Sequence, residues 1–134
     1  MDHLEERERS ALMARVRGRD TKPELIVRRL THRLGFRFRL HRRELPGSPD
    51  LVFVSRRKVA FVHGCFWHQH KCKRGTRPAS NTEFWNSKLD RNRQRDREAV
   101  KLLKKDGWKI LVIWECEVKN EVRLSRRISK FLYE

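Results

Sequence analysis

Residues 62–72, Val-His-Gly-Cys-Phe-Trp-His-Gln-His-Lys-Cys, constrain the fold more than any other stretch of this chain. Thiolates and imidazoles are the ligands that structural zinc prefers. Cys65, His70 and Cys72 therefore predict three zinc ligands on one short loop, and Cys116 would complete a tetrahedral site. Such a site would fasten this loop to a distant part of the chain. The alternative is that the cysteines are buried free thiols beside solvent-exposed histidines.

The chain is strongly basic. Its 134 residues include 34 Lys+Arg against 17 Asp+Glu, a formal net charge of +17. A field of this strength favours a polyanion as partner, and nucleic acid is the usual one. A ribosomal-type protein or a merely soluble basic surface is the alternative.

Cysteine usage and hydropathy narrow the protein class. Three cysteines are an odd number with one close pair, which argues against a disulfide framework. No apolar run approaches the ~20 residues that a membrane helix needs, and the N-terminus has no signal-peptide core. We expect a cytoplasmic, nucleoid-associated protein without a membrane partner, with a single domain over residues 1–134 and a basic arm at 1–17.

Periodicity predicts an α/β fold. A capping box at residues 21–24 precedes apolar residues at helical spacing, which predicts a helix over about 22–34 that Gly35 ends. Alternation at 36–40 and apolar runs at 51–54 and 58–62 predict strands, the last two forming a hairpin. A second capping box at 80–83 predicts a long helix to about residue 105. The apolar run 108–114 predicts a central strand covered on both faces, and an amphipathic helix closes the chain. This order predicts helices packed around a mixed sheet.

Two groups of polar residues follow from this arrangement. Asp50 opens one hairpin strand and His63 ends the other, so antiparallel pairing brings them to the same sheet edge. An aspartate there suits Mg²⁺, and the imidazoles of His63 and His68 are suited to proton transfer near neutral pH. On the long helix, Asn92 and Asp96 lie within the apolar stripe. A carboxylate there needs a partner or a task, and a structural salt bridge is the alternative reading of Asp96.

Phe66 and Trp67 are adjacent large aromatics in a polar loop. Apolar side chains inserted between base steps unstack and bend DNA, so this pair predicts a wedge. Met13 and Glu24 have simpler explanations from the residues alone: Met13 packs against the domain, and Glu24 is the capping-box carboxylate.

Five motifs in unchanged order, spanning about residues 13–116, resemble the very short patch repair (Vsr) DNA mismatch endonuclease family. They are Asp-Thr-Lys-Pro-Glu at 20–24, Leu-Pro-Gly-Ser-Pro-Asp at 45–50, Phe-Val-His-Gly-Cys-Phe-Trp-His at 61–68, Glu-Phe-Trp at 83–85 and Val-Ile-Trp-Glu-Cys at 112–116. The resemblance implies a restriction-endonuclease-like fold of the PD-(D/E)xK class. It also implies a Mg²⁺-dependent endonuclease that nicks 5′ to the thymine of a T:G mismatch left by deamination of 5-methylcytosine, which initiates very short patch repair.

The resemblance further implies roles for individual residues. Asp50 and the main-chain carbonyl of Val62 would hold Mg²⁺. His68 would activate water with Asp96 orienting it, and His63 and Glu24 would assist at the scissile phosphate. The implied structural zinc ligands are Cys65, His70, Cys72 and Cys116. Residues implied to contact DNA are Phe66, Trp67 and Trp85 from the major groove, Met13 from the minor groove, and Lys88 and Asn92 at the mismatched pair.

The expected partner is double-stranded DNA with a T:G mismatch, met by a monomer, and mismatch-repair proteins of the MutL type are further candidates. Two alternatives remain open. One is a restriction-like nuclease of the same fold that cuts another DNA target in both strands. The other is a non-catalytic, zinc-stabilised module that binds mismatched DNA.

Overall fold

A computed structural model describes residues 20–134. Within these residues the fold consists of three α-helices and a four-stranded sheet. In chain order the elements are α1 (Lys22–Arg33), β1 (Arg39–Leu40), β2 (Leu51–Phe53), β3 (Lys58–His63), α2 (Thr82–Lys105), β4 (Lys109–Trp114) and α3 (Glu121–Tyr133). The predicted mixed α/β architecture is confirmed.

The sheet has the order β1-β2-β3-β4. β1 pairs with β2 and β2 with β3 in antiparallel orientation, whereas β3 and β4 are parallel. Helices α1 and α3 cover one face, where Val27, Leu30 and Leu124 pack with strand residues such as Leu51 and Ile113. Helix α2 covers the opposite face.

The α2 side of the sheet has a smaller core. Leu103 packs there with Val52, Val59, Phe61 and Trp108. This core occupies only the half of the sheet near the start of β3. The other half, where β3 and β4 end, is left for polar residues, and the candidate site lies there.

The helices largely follow the sequence signals. Thr21 caps α1 by accepting a hydrogen bond from the Glu24 backbone N–H at 3.4 Å, while the Glu24 carboxylate accepts from the Asp20 N–H at 3.2 Å. The second predicted capping box is wrong. Helix α2 begins at Thr82 after Asn81, whose backbone is left-handed (φ 52°) and whose side chain makes no capping hydrogen bond.

Three strand predictions also need correction. Only Arg39–Leu40 of the predicted strand 36–40 pairs with β2, opposite Val52 and Leu51; Phe36 is still buried, as the alternation requires. Val54 leaves the strand and enters a 3₁₀ turn, with 49% of its surface exposed. β4 is an edge strand in the sheet formed by residues 20–134, not a central one. Its residues on the α2 side of the sheet, Ile110, Val112 and Trp114, are only half-buried.

Candidate active site and metal centre

One face of α2 holds the loop that follows β3. Trp85, Asn92 and Asp96 lie on this face at the predicted helical spacing, and each contacts the loop. The Asn92 amide donates to the Trp67 carbonyl at 3.1 Å, which ties the loop to the middle of the helix. Asn92 and Asp96 are therefore present in the apolar stripe because they bind this loop.

His68 and Asp96 form a close pair. Nδ1 of His68 lies 2.6 Å from Oδ2 of Asp96, and both side chains are 28% exposed. A carboxylate that faces a neutral imidazole can only accept, so the ring proton is on Nδ1. Nε2 of His68 is then the unprotonated nitrogen. This orientation is the one that a histidine acting as a general base requires.

His63 stacks on His68. The ring centroids are 3.8 Å apart and the planes differ by 5°. His63 is 7% exposed, and burial, assisted by the nearby His68, lowers its pKa to about 3 despite the opposing charge of Asp96. His63 is therefore neutral at physiological pH. The charged form that proton donation would need is therefore unfavourable for His63, and its implied role at the scissile phosphate stays a prediction.

Asp50 lies against the end of β3, as the hairpin register predicted. Its Oδ2 accepts a hydrogen bond from the Val62 backbone N–H at 2.6 Å. Burial raises the pKa of Asp50 to about 7, the Val62 hydrogen bond opposes this rise, and the negative charge of Glu24 adds to it. A bound cation would offset both the burial and the repulsion. A carboxylate oxygen is a ligand that hard divalent ions prefer, so Asp50 is suited to hold one.

Glu24 is more than a cap. Its side chain is 7% exposed, and Oε2 lies 3.1 Å from Nη2 of Arg28 and 3.4 Å from Nε2 of His41. Sequence reasoning placed Glu24 near the site through the family resemblance but missed Arg28 and His41. Only the spacing of Arg28, one turn after Glu24, hinted at this contact.

The four predicted zinc ligands converge. The ligand atoms of Cys65, His70, Cys72 and Cys116 all lie within 4.8 Å of one another. Nδ1 of His70 is 3.8 Å from the Cys65 sulfur and 3.5 Å from the Cys116 sulfur. In a tetrahedron with zinc–sulfur distances of about 2.3 Å and zinc–nitrogen distances of about 2.1 Å, a ligand nitrogen and a ligand sulfur would be about 3.6 Å apart. Three thiols and an imidazole at this spacing fit zinc closely.

The thiols have unlike environments. Burial raises the pKa of Cys65 to about 12. Burial also acts to raise the pKa of Cys72, but hydrogen bonds from His70 and from backbone groups outweigh it and lower this pKa to about 7. All three cysteines are free, as the odd count indicated. A cation that stabilises thiolates would therefore have most effect on Cys65.

The loop around these ligands is tightly closed. Gln69 has a left-handed backbone (φ 54°), and its side-chain amide donates to the Phe66 carbonyl at 2.7 Å and the Gly75 carbonyl at 3.1 Å. A Cβ atom on Gly75 would lie 2.2 Å from the His70 carbonyl oxygen. Glycine is required at 75 because the backbone there approaches the backbone of a predicted ligand.

An aromatic cluster projects from the same loop. Phe66 packs edge-to-face on Trp67 and Trp85, with ring centroids 5.1 and 5.5 Å apart. Phe66 and Trp67 are half-buried, whereas Trp85 is only 7% exposed and supports them from α2. Phe84, which sequence reasoning did not single out, is 58% exposed beside Trp85. Lys88 lies 5.8 Å from the Trp67 ring centroid, which adds positive charge to the cluster.

A cavity of about 510 Å³ opens beside His68 and Asp96. Lys71, Arg93 and Arg97 contribute to its lining, so the opening carries positive charge. A phosphate group is the kind of ligand that such an opening attracts. Met13, predicted to contact the minor groove, and the basic arm 1–17 lie outside the described residues.

Comparisons with known proteins identify relatives of this chain. The family model described as DNA mismatch endonuclease Vsr matches residues 1–74. The chain is 47% identical over 131 residues to the type II nicking enzyme V.XorIIP of Xanthomonas oryzae pv. oryzae, covering 98% of this chain and 96% of that protein. It is 40% identical over 126 residues to the type II nicking enzyme V.NmeAIP of Neisseria meningitidis, covering 94% and 90%. It is also 40% identical over 117 residues to the DNA mismatch endonuclease Vsr of Escherichia coli, covering 87% and 75%.

A mixed α/β fold with a histidine–aspartate pair beside a buried carboxylate, together with these relatives, defines the class of the protein: it is a DNA endonuclease. Within this class, the chain belongs to the DNA mismatch endonuclease Vsr family. Among residues 20–134, no helix is both long and apolar enough to cross a membrane.

Proposed function

We propose that this chain is a Mg²⁺-dependent endonuclease that nicks one strand 5′ to the thymine of a T:G mismatch, the product of 5-methylcytosine deamination, and so initiates very short patch repair. The observation that carries this proposal is the His68–Asp96 pair: His68 lies on the same short loop as the aromatic pair Phe66–Trp67, and Asp96 contacts it from α2. A general base that directly follows a stacking pair in the chain can act together with that pair on one DNA site.

The chemistry assigned to the protein groups is proton transfer. Asp96 keeps the His68 ring in one orientation at 2.6 Å and stabilises it when it becomes charged. Nε2 of His68 takes the proton from the attacking water. The neutral ring of His63 holds His68 in place by stacking and is available for hydrogen bonds near the scissile phosphate, and Glu24 assists there as a second carboxylate.

Asp50 and the main-chain carbonyl of Val62 are the proposed Mg²⁺ ligands. When bound, Mg²⁺ supplies positive charge that stabilises the developing charge on the phosphate. The raised pKa of Asp50 supports this role, because a buried carboxylate near a second carboxylate gains most from a cation.

Zinc is proposed as a structural ion held by the cluster of Cys65, His70, Cys72 and Cys116. Four protein ligands leave no open position for catalysis. Its contribution would be to fix the loop that carries Phe66 and His68. The aromatic pair and Trp85, with Met13 from the opposite groove, would enter the base stack, and Lys88 and Asn92 would contact the mismatched bases. We further propose that the protein acts as a monomer and that MutL-type proteins are its protein partners.

A cleavage assay tests this function. Duplexes that carry T:G, U:G or T:A at one position, each labelled separately on both strands, are incubated with the protein and Mg²⁺. The proposal predicts a single cut in the thymine strand of the T:G duplex, and much slower cleavage of the T:A duplex. Cleavage of both strands in paired DNA would indicate a restriction-like enzyme instead. Tight binding without any cleavage would indicate a mismatch-binding module.

A further inference from the structure

Arg28 neutralises two carboxylates at the start of α1. Its Nη2 lies 2.6 Å from Oδ1 of Asp20 and 3.1 Å from Oε2 of Glu24. Asp20 is 64% exposed, but Glu24 is only 7% exposed, so its charge needs a close partner. Arg28 thus fixes the position of a carboxylate that the proposed mechanism places near the scissile phosphate.

The same guanidinium nitrogen also determines the tautomer of His41. Nη2 of Arg28 lies 2.9 Å from Nε2 of His41. A guanidinium group has donors and no acceptor, so in the contact with Arg28 the Nε2 atom of a neutral His41 ring accepts, although Oε2 of Glu24 lies 3.4 Å from the same atom. The proton of the neutral ring is then on Nδ1. This Nδ1 faces Oδ1 of Asp50 at 3.9 Å.

The backbone holds His41 at this place. Its φ of +47° is uncommon for a residue other than glycine, and its N–H donates to the main-chain carbonyl of Asp50 at 3.4 Å. Its side chain is 12% exposed. The surrounding contacts therefore maintain an unfavourable backbone conformation and leave the ring between Glu24 and Asp50.

We propose that Arg28 and His41 are positioning residues that orient the Asp50 carboxylate for the catalytic divalent cation. The inference rests on the proposed role of Asp50 as the Mg²⁺ ligand. The Val62 N–H holds Oδ2 of Asp50 at 2.6 Å, and the oriented Nδ1–H of His41 attracts the other oxygen. The separation of 3.9 Å exceeds a direct hydrogen bond, so this attraction is that of an N–H dipole. The Val62 hydrogen bond thus fixes one carboxylate oxygen, and the His41 dipole favours one position of the other.

Removal of a group that orients a metal ligand typically weakens metal affinity or activity by about 10–100-fold. We expect His41→Ala to weaken Mn²⁺ binding about 10-fold or more, measured by calorimetry with the DNA-free full chain and Mn²⁺ as the probe for Mg²⁺. Asp50→Asn is the reference that removes the site. The Mg²⁺ concentration for half-maximal nicking should rise by a similar factor. The affinity for a T:G duplex without divalent ions should not change.

His41→Gln is the conservative variant, because its amide can accept from Arg28 and donate towards Asp50. It should restore most of the Mn²⁺ affinity. Arg28→Lys should weaken Mn²⁺ binding, because it keeps a charge near Glu24 but its shorter, flexible side chain does not hold a donor where Nη2 contacts His41. This variant tests the same pair of residues if His41→Ala folds poorly. His32→Ala, an exposed histidine on α1, is the matched control and should bind Mn²⁺ as the parent does.

Two results would overturn the inference: Mn²⁺ affinity unchanged in both His41→Ala and Arg28→Lys, or affinity in His41→Gln as low as in His41→Ala. The calorimetric readout does not depend on cleavage. If the parent nicks no mismatched duplex, the proposed function fails, while the Mn²⁺ titrations still decide whether this pair orients Asp50.

Discussion

Replacing Asp50 by Asn should stabilise the Mg²⁺-free protein at neutral pH, although it removes the proposed metal ligand. The Asp50 side chain is 16% exposed, and burial raises its pKa from the ordinary 3.8 to about 7. The folded protein therefore opposes ionisation of this carboxyl group. Asn has nearly the same shape, keeps an oxygen that accepts from the Val62 N–H, and carries no charge.

The magnitude follows from proton linkage. One pH unit of difference in pKa corresponds to about 1.4 kcal/mol, so a rise from 3.8 to about 7 corresponds to about 4 kcal/mol. Between about pH 4 and pH 7, Asp50 is protonated in the folded protein but ionised in the unfolded chain. The penalty is therefore absent below about pH 4, grows as pH rises through this window, and is complete above pH 7.

His63 contributes in the opposite direction. The pKa of His63 is lowered to about 3 in the folded protein. Below about pH 6.5, His63 is therefore protonated in the unfolded chain but neutral in the folded protein, and the stability of the folded protein falls as pH falls. Both proteins contain His63, so its contribution cancels in the comparison of Asp50→Asn with the parent. The difference between them isolates Asp50.

Urea unfolding in Mg²⁺-free buffer at several pH values measures this difference. We expect Asp50→Asn to be more stable than the parent by up to about 4 kcal/mol at pH 8, and equal to it near pH 4. Asp90→Asn is the control, because Arg77 lowers the pKa of Asp90 and its removal should give no stabilisation. An Asp50→Asn variant that is less stable than the parent at pH 8 would refute the reasoning.

Two further predictions concern the aromatic pair and the cysteine cluster. Phe66→Ala should weaken binding to a T:G duplex by roughly 10-fold, because stacking on a base contributes about 1–3 kcal/mol. It should also reduce the preference for the T:G duplex over the T:A duplex. Fluorescence anisotropy measures both effects, and Tyr133→Ala, at an exposed aromatic residue, is the control. Discrimination equal to that of the parent would contradict the wedge. Cys116→Ser should bind less zinc than the parent, for which we expect one ion per chain, and should unfold at a lower temperature. Metal analysis and calorimetry measure these two changes. A parent protein that contains no zinc after purification would contradict this assignment.

Local sequence signals predicted most of the fold. The apolar spacing of α1, α2 and α3 was sufficient because tertiary packing uses the same faces. The apolar run at 108–114 predicted a central strand, which is wrong, because continuous apolar residues usually indicate a strand buried on both faces. On the α2 side of β4 the residues Ile110, Val112 and Trp114 are instead half-buried, and Trp114 stacks on His70 with ring centroids 4.2 Å apart. The Trp114 side chain thus packs against the loop that carries His70 rather than against a neighbouring strand.

The candidate site, like the fold, was only partly predictable from the sequence. Cys65, His70 and Cys72 could be grouped from sequence because their chemistry and short spacing leave few other uses. His41 and Arg28 could not, because their contact depends on a left-handed backbone at His41 and on the turn between α1 and β1. Charged residues that act on a site through such long-range contacts leave no periodic signal in the chain.

The central claim is that His68 is the general base of a mismatch-dependent nicking enzyme. The most direct test is the single-turnover nicking rate of His68→Ala on a T:G duplex with Mg²⁺, beside the parent and the His32→Ala control. Loss of a general base predicts a rate lower by about 10²–10⁴-fold, with duplex binding unchanged. A His68→Ala variant that nicks within a few-fold of the parent rate would contradict the account.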